Sequence, residues 1–118
     1  MTTAEDVKQF LSDFKTKMKI WDVLFRDDRG KNTQTLSALE LKPIERKMSL
    51  EHLTVEDYSE GPLNEVLYGG SDMWVFGIML KDKEIYIKIS MGILGNSTIC
   101  ISFHIAEHKM NYPFKTNI

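Results

Sequence analysis

Asp72-Met-Trp-Val-Phe-Gly-Ile-Met-Leu80, Ile85-Tyr-Ile-Lys-Ile-Ser90 and Thr98-Ile-Cys-Ile-Ser-Phe-His-Ile105 decide the fold of this chain. They read as three consecutive strands, and the last two alternate apolar with polar side chains at period two. Ile85, Ile87 and Ile89 fall on one face, with Tyr86, Lys88 and Ser90 on the other. The final strand repeats the pattern, placing Ile99, Ile101, Phe103 and Ile105 opposite Thr98, Cys100, Ser102 and His104. A hairpin around Met91 to Ser97 sets Ser90 across from Thr98 and Tyr86 across from Ser102. Tyr86, Lys88 and His104 then share one sheet face.

Met73 to Leu80 is apolar on both faces and should be covered on both sides. Lys81 to Glu84 reads as a two-residue hairpin without the favoured glycine. Its expected register puts Trp74, Phe76 and Ile78 beside Ile85, Ile87 and Ile89 as the main core face. Gly77 lies across from Lys88, leaving a shallow depression beside Lys88 and Tyr86.

The residues before this sheet read as helical. Thr3 with Asp6 three residues on predicts a capping box, and Val7, Phe10, Leu11, Phe14 and Met18 form an i, i+3, i+4 stripe. Ile20 to Phe25 predicts a short strand, ended by a turn at Asp27-Asp28-Arg29-Gly30. Thr33 to Leu39 reads as a short helix with Leu36 and Leu39 inward. Pro43 opens another, to about Leu50, with Ile44 and Met48 on its inner face. Thr54 to Asp57 suggests a single helical turn, Glu60-Gly61-Pro62 a sharp exit, and Gly69-Gly70 a flexible joint before the sheet. Tyr112-Pro113-Phe114 should pack back against the sheet. The expected fold class is α+β: one domain over 1–118, helical in its first half, with helices on one face of a mainly antiparallel sheet of about four strands from about 72 to 106.

Composition narrows the functional classes. At 118 residues with 42% hydrophobic and 27% charged residues, the chain has ordinary globular proportions. No apolar run is long enough to span a bilayer, and the first residues lack the basic start and apolar core of a signal peptide, so no membrane and a cytoplasmic location are expected. The single cysteine excludes a disulfide framework and a cysteine-based zinc cluster. Net charge is −2, which gives no overall nucleic-acid signature. The charge is uneven: residues 20 to 60 hold nine acids against six bases, while 73 to 118 hold three against five plus two histidines.

The expected sheet face groups a phenol, an ammonium and an imidazole, which together can perform acid–base chemistry on a phosphodiester. The plainer account is a solvated sheet face, where Tyr, Lys, Ser and Thr are common. Met73, Val75 and Met79 share that face, however, and suit a bound base or partner chain better than open water. His104, Glu107 and His108 invite a metal, but they follow a strand and show no second ligand pair, so no metal or other cofactor is expected. Cys100 reads as a small hydrophobe, since no acid is available to orient a nucleophilic pair.

Leu53-Thr-Val-Glu-Asp57-Tyr58, Asp72-Met-Trp74, Ile85-Tyr86-Ile87-Lys88-Ile89 and Ile101-Ser102-Phe103-His104, in that order and spacing, resemble the MqsR family (motility quorum-sensing regulators). These are the ribonuclease toxins of type II toxin–antitoxin systems, with a RelE-like fold, and the resemblance covers residues 53 to 105. It implies a metal-independent endoribonuclease that cleaves mRNA, masked by a cognate antitoxin that is MqsA-like or of the helix-turn-helix type. The family's catalytic tyrosine falls on Tyr86. A family lysine falls on His104, its glutamine on Val75, and a further lysine on Ser59 or Glu60. Tyr86, Lys88 and His104 are therefore the expected catalytic residues, with Tyr58, Gly77 and Ser102 as substrate-binding residues. The alternative is a non-catalytic module that docks a protein partner on the same face.

Overall fold

The computed structural model describes residues 1–28, 30–64 and 71–115, and the Gly69-Gly70 joint lies outside them. The first helix, α1 (Ala4–Trp21), begins at the expected box: Thr3 Oγ1 accepts from the Asp6 amide at 3.2 Å, and Asp6 Oδ2 accepts from the Thr3 amide at 2.9 Å. Its apolar stripe of Val7, Phe10, Leu11, Phe14 and Met18 is buried throughout. The strand expected from Ile20 starts later. The helix runs on through Ile20 and Trp21, both largely exposed, until Asp22 adopts φ 67° and its amide closes on Met18 O at 2.7 Å. Only Val23–Phe25 forms β1.

Helix α2 (Lys31–Ala38) begins two residues before the expected Thr33, and α3 (Pro43–Glu51) begins at its proline as expected. The inner face of α3 is not the one expected. Ile44 and Met48 are 57% and 50% exposed, whereas Arg46 and Leu50 are 5% and 0% exposed. The physical reason is a ready-made home for the guanidinium: it forms two bonds to Asp27, at 2.8 and 3.2 Å, and lies 4.0 Å from the Phe25 ring centroid. A charged side chain thus takes the position that hydropathy assigned to isoleucine and methionine.

A 3-10 turn at Val55–Asp57 leads into β2 (Tyr58–Leu63). Glu60-Gly61-Pro62, expected as an exit, instead lies within this strand, which pairs irregularly with β3 (Met73–Leu80). An edge strand tolerates proline because an outward N–H has no ladder partner to lose. With β4 (Lys83–Ser90) and β5 (Thr98–Ile105) these strands form a five-stranded sheet in the order β1-β5-β4-β3-β2. Only β1 and β5 run parallel. The fold class is α+β, as expected, with one more strand than the sequence suggested.

Helix α1 supplies one side of the core. Phe10 stacks on Trp74 at 4.5 Å, and Phe14 packs in the same cluster as Phe76, Ile85, Ile87, Ile89 and Phe103. Six of these, Phe14 to Phe103, are fully buried. Each such side chain contributes about 1.5–3 kcal/mol of transfer free energy. The β3–β4 turn is the expected two-residue hairpin, and it forms without glycine: Lys81 and Asp82 take φ 48° and 66°. The Lys81 ammonium donates to Leu39 O at 2.6 Å, which ties the turn to the end of α2. This turn places Trp74 opposite Ile89 and Gly77 opposite Tyr86, so Val75, not Gly77, faces Lys88. The faces survive because the slip is two residues, and only an odd slip exchanges them.

Candidate functional site

Strands β4 and β5 bring the expected catalytic side chains together more tightly than the sequence register did. Tyr86 lies directly opposite His104, and Lys88 opposite Ser102. The Tyr86 and His104 rings stack at 5.3 Å with 17° between their planes. Lys88 Nζ stands 5.7 Å from the Tyr86 ring centroid. All four side chains line one open cavity of about 570 Å³.

One bulge explains where β5 departs from its alternation. The register shifts between Lys88 and Ile89, so that Ile89 pairs with Cys100 and Ile101 is the additional residue. Ile101 is buried as expected, at 5% exposure, but it lies outside the main apolar cluster and lines the cavity. Cys100, expected on the site face, belongs to the apolar core, and burial pushes its thiol well above the ordinary range. That environment keeps it protonated and excludes it as a nucleophile.

Two expected substrate-binding residues are placed elsewhere. Tyr58 is 5% exposed and sits in the core, 6.1 Å from Phe76 and 5.3 Å from Phe114, with its hydroxyl donating to Gly61 O at 2.5 Å. The first residue of β2 points inward, and its neighbours Ser59 and Glu60 reach the cavity. Gly77 is not an open depression. A side-chain carbon there would come within 3 Å of the Tyr112 hydroxyl and Met110 Sδ, so the glycine admits the segment 106–115 rather than a ligand. That segment is anchored by Glu84, which accepts from the Met110 amide at 3.1 Å and from the Tyr112 hydroxyl at 2.6 Å. The expected return of Tyr112 and Phe114 to the sheet is therefore present.

The remaining walls were not legible as parts of this site, although the sequence groups Glu107 and His108 with His104 as a candidate metal set. Lys31 and Asn32 come from α2, and Glu107 to Asn111 from the segment after β5. Lys31 and Glu107 form an ion pair at 2.6 Å, and this pairing lowers the Glu107 carboxyl below its usual range. Three lysines (Lys31, Lys88, Lys109) and two histidines (His104, His108) line the cavity against two carboxylates, Glu60 and Glu107. The cavity wall is thus mildly cationic on a chain of net charge −2. Among the described residues no group of three His, Cys, Asp or Glu side chains is arranged to hold a metal.

Protonation follows from the surroundings. Burial, and then the charge of Glu60, push the Tyr86 phenol up, so at neutral pH it is a hydrogen-bond donor and not a phenolate. His104 Nδ1 lies 3.0 Å from Ile105 O. A carbonyl only accepts, so Nδ1 carries the hydrogen and a neutral ring leaves Nε2 free to take a proton. The site can therefore present a base, a neutral acid and a fixed positive charge to one substrate.

No helix among the described residues is long and apolar enough to cross a membrane. No family model, curated protein or solved structure matches this chain.

Proposed function

We propose that this chain is a metal-independent endoribonuclease of the MqsR-like, RelE-like kind, cleaving mRNA as the toxin of a bacterial type II toxin–antitoxin pair in the cytoplasm. The observation that carries the reading is the stacked Tyr86–His104 pair with Lys88 beside it in one mildly cationic cavity. Metal-free RNA cleavage needs a base at the 2′-hydroxyl, positive charge near the phosphorane and an acid for the leaving oxygen. His104 Nε2 takes the 2′-hydroxyl proton as the 2′-oxygen bonds to phosphorus. Lys88 stabilises the added charge. The Tyr86 phenol donates to the phosphate or to the 5′-oxygen as the P–O5′ bond breaks, leaving a 2′,3′-cyclic phosphate. Ser102, across from Lys88, supplies a further hydroxyl for the phosphate or sugar. A cognate antitoxin, MqsA-like or of the helix-turn-helix type, is the expected partner.

Purified protein should cut single-stranded RNA in EDTA as fast as without it, and the products should carry cyclic phosphate ends. His104→Ala and Lys88→Ala should each lower the rate by about 10²-fold or more, because each removes proton transfer or transition-state charge. Induced expression should arrest bacterial growth, and the double variant should not. Magnesium dependence, or full activity in the double variant, overturns the reading and leaves the non-catalytic docking module.

A further inference from the structure

The outer edge of β5 has a vacancy in its ladder that is filled by side chains. Strand β1 pairs with β5 only at Thr98 to Cys100, and the Arg26 amide adds one more bond, to Cys100 O at 2.9 Å. Beyond that point no strand among the described residues pairs with the outward backbone groups of Ile101, Phe103 and Ile105. Two side chains of α2, three residues apart and thus on one helix face, take its place. Asn32 Oδ1 accepts from the Phe103 amide at 2.9 Å, and Asn32 Nδ2 donates to Ile101 O at 3.3 Å and to Arg26 O at 2.8 Å. Thr35 Oγ1 accepts from the Ile105 amide at 3.0 Å. Both side chains are 4% exposed. Asn32, in the first turn of α2, spends all three of its side-chain bonds on backbone outside its own helix, and a buried amide so fully bonded holds that backbone in one place.

We propose that Asn32 and Thr35 are positioning residues for His104, acting as a two-residue substitute strand that fixes the imidazole against Tyr86. The two amides they hold, those of Phe103 and Ile105, flank His104 on either side. Asn32 also holds Ile101 O, at the bulge that turns β5 from core pairing to site pairing. The His104 ring is itself tethered to Ile105 O, so a shift of the Ile105 peptide moves the Nδ1 tether along with the backbone. Misplacing a catalytic base by about 1 Å costs up to about 10²-fold in rate, so a small loosening of this edge is enough to be seen. The kinetic consequence rests on the ribonuclease reading. The placement of the ring does not.

The test separates the two. In protein with labelled histidine rings, the His104 resonances should carry a ring-current shift from Tyr86, identified by its loss in Tyr86→Leu. Thr35→Val keeps the shape and removes the acceptor, so it should lose most of that shift. Thr35→Ser restores a hydroxyl and should keep it. Asn32→Ala should lose it as well. If Asn32→Ala does not fold, the threonine pair alone decides the question. In RNA cleavage, Thr35→Val should lower kcat by about tenfold with KM nearly unchanged and Thr35→Ser should be close to wild type. A folded Thr35→Val whose His104 shift equals that of the wild type overturns the proposal. A lost shift with no cleavage even in the wild-type protein sinks the ribonuclease reading and leaves the positioning intact.

Discussion

The two faces of the β3–β4–β5 sheet are both covered, but by different means. The inner face is sealed by apolar side chains of α1 against Phe76, Ile87 and Phe103, and the ammonium groups of Lys15 and Lys17 on α1 donate to Leu53 O and Ile93 O. The outer face is covered only in part, by the segment 106–115, which Glu84 anchors through a backbone amide and a phenol. That cover lies on Gly77, at the β3 side, and leaves Tyr86, Lys88, Ser102 and His104 lining a cavity. The contrast shows that alternation along a strand reports which face is apolar, not whether the polar face meets water, a second layer of chain or a ligand. The inner face should therefore govern stability, and the outer one should govern access and chemistry.

The largest effect expected is on the inner face. Phe103→Ala should cost roughly 3–5 kcal/mol in denaturant unfolding, because a fully buried ring leaves a cavity that this small core cannot close. A loss below about 1 kcal/mol would mean that the two faces have been exchanged. Next comes Gly77→Ala, which places a methyl group where the Tyr112 phenol and Met110 sulfur lie. It should cost about 1–3 kcal/mol through overpacking and displace the segment. Combined with Tyr112→Ala it should cost less than the sum of the two, since both act on one contact. Simple additivity would show that the segment does not rest on Gly77 in solution.

Tyr112→Phe tests the anchor, and about 1–2 kcal/mol is expected from losing a hydrogen bond to a carboxylate that is itself partly buried. The same residue gives a pH dependence. Burial, and then the hydrogen bond and charge of Glu84, raise the Tyr112 phenol above its ordinary value of 10.0. A group whose folded value is raised contributes stability in full below its unfolded value and loses it as pH rises towards the folded one. Stability should therefore fall as pH climbs above about 10, and Tyr112→Phe should blunt that fall; an unchanged alkaline profile in the variant would separate the phenol from it. The smallest effects belong to the cavity. Lys88→Ala and His104→Ala should change stability by about 1 kcal/mol or less, since neither packs in the core. A large loss in either would make these side chains structural and blur the division between the faces.

Helix α1 and strands β3 and β4 were legible in the sequence because each carries a local signal: a capping box with an i, i+3, i+4 stripe, a short continuous apolar run, or unbroken alternation. Residues Tyr86, Lys88, Ser102 and His104 were legible as a group for the same reason, since Ser102 and His104 lie on the far side of the bulge from Cys100 and keep their parity. The inward turn of Tyr58, the cover on Gly77 and the inner face of α3 were not legible. Arg46 is buried because Asp27 and Phe25 receive it, and neither partner is marked as such in the chain.

The sequence by itself determined the α+β class, the antiparallel succession of β3, β4 and β5 and the face that holds the phenol, ammonium and imidazole, because such patterns are properties of neighbouring residues. Only the tertiary structure decided which residue stands opposite which, where β5 bulges and what completes its open edge. The last of these rests on Asn32 and Thr35 meeting Phe103 and Ile105, which lie 71 and 70 residues away along the chain. A hydrogen bond across that distance leaves no periodic trace in either segment. It exists only once the fold has brought a polar helix face to a strand edge that lacks a neighbour.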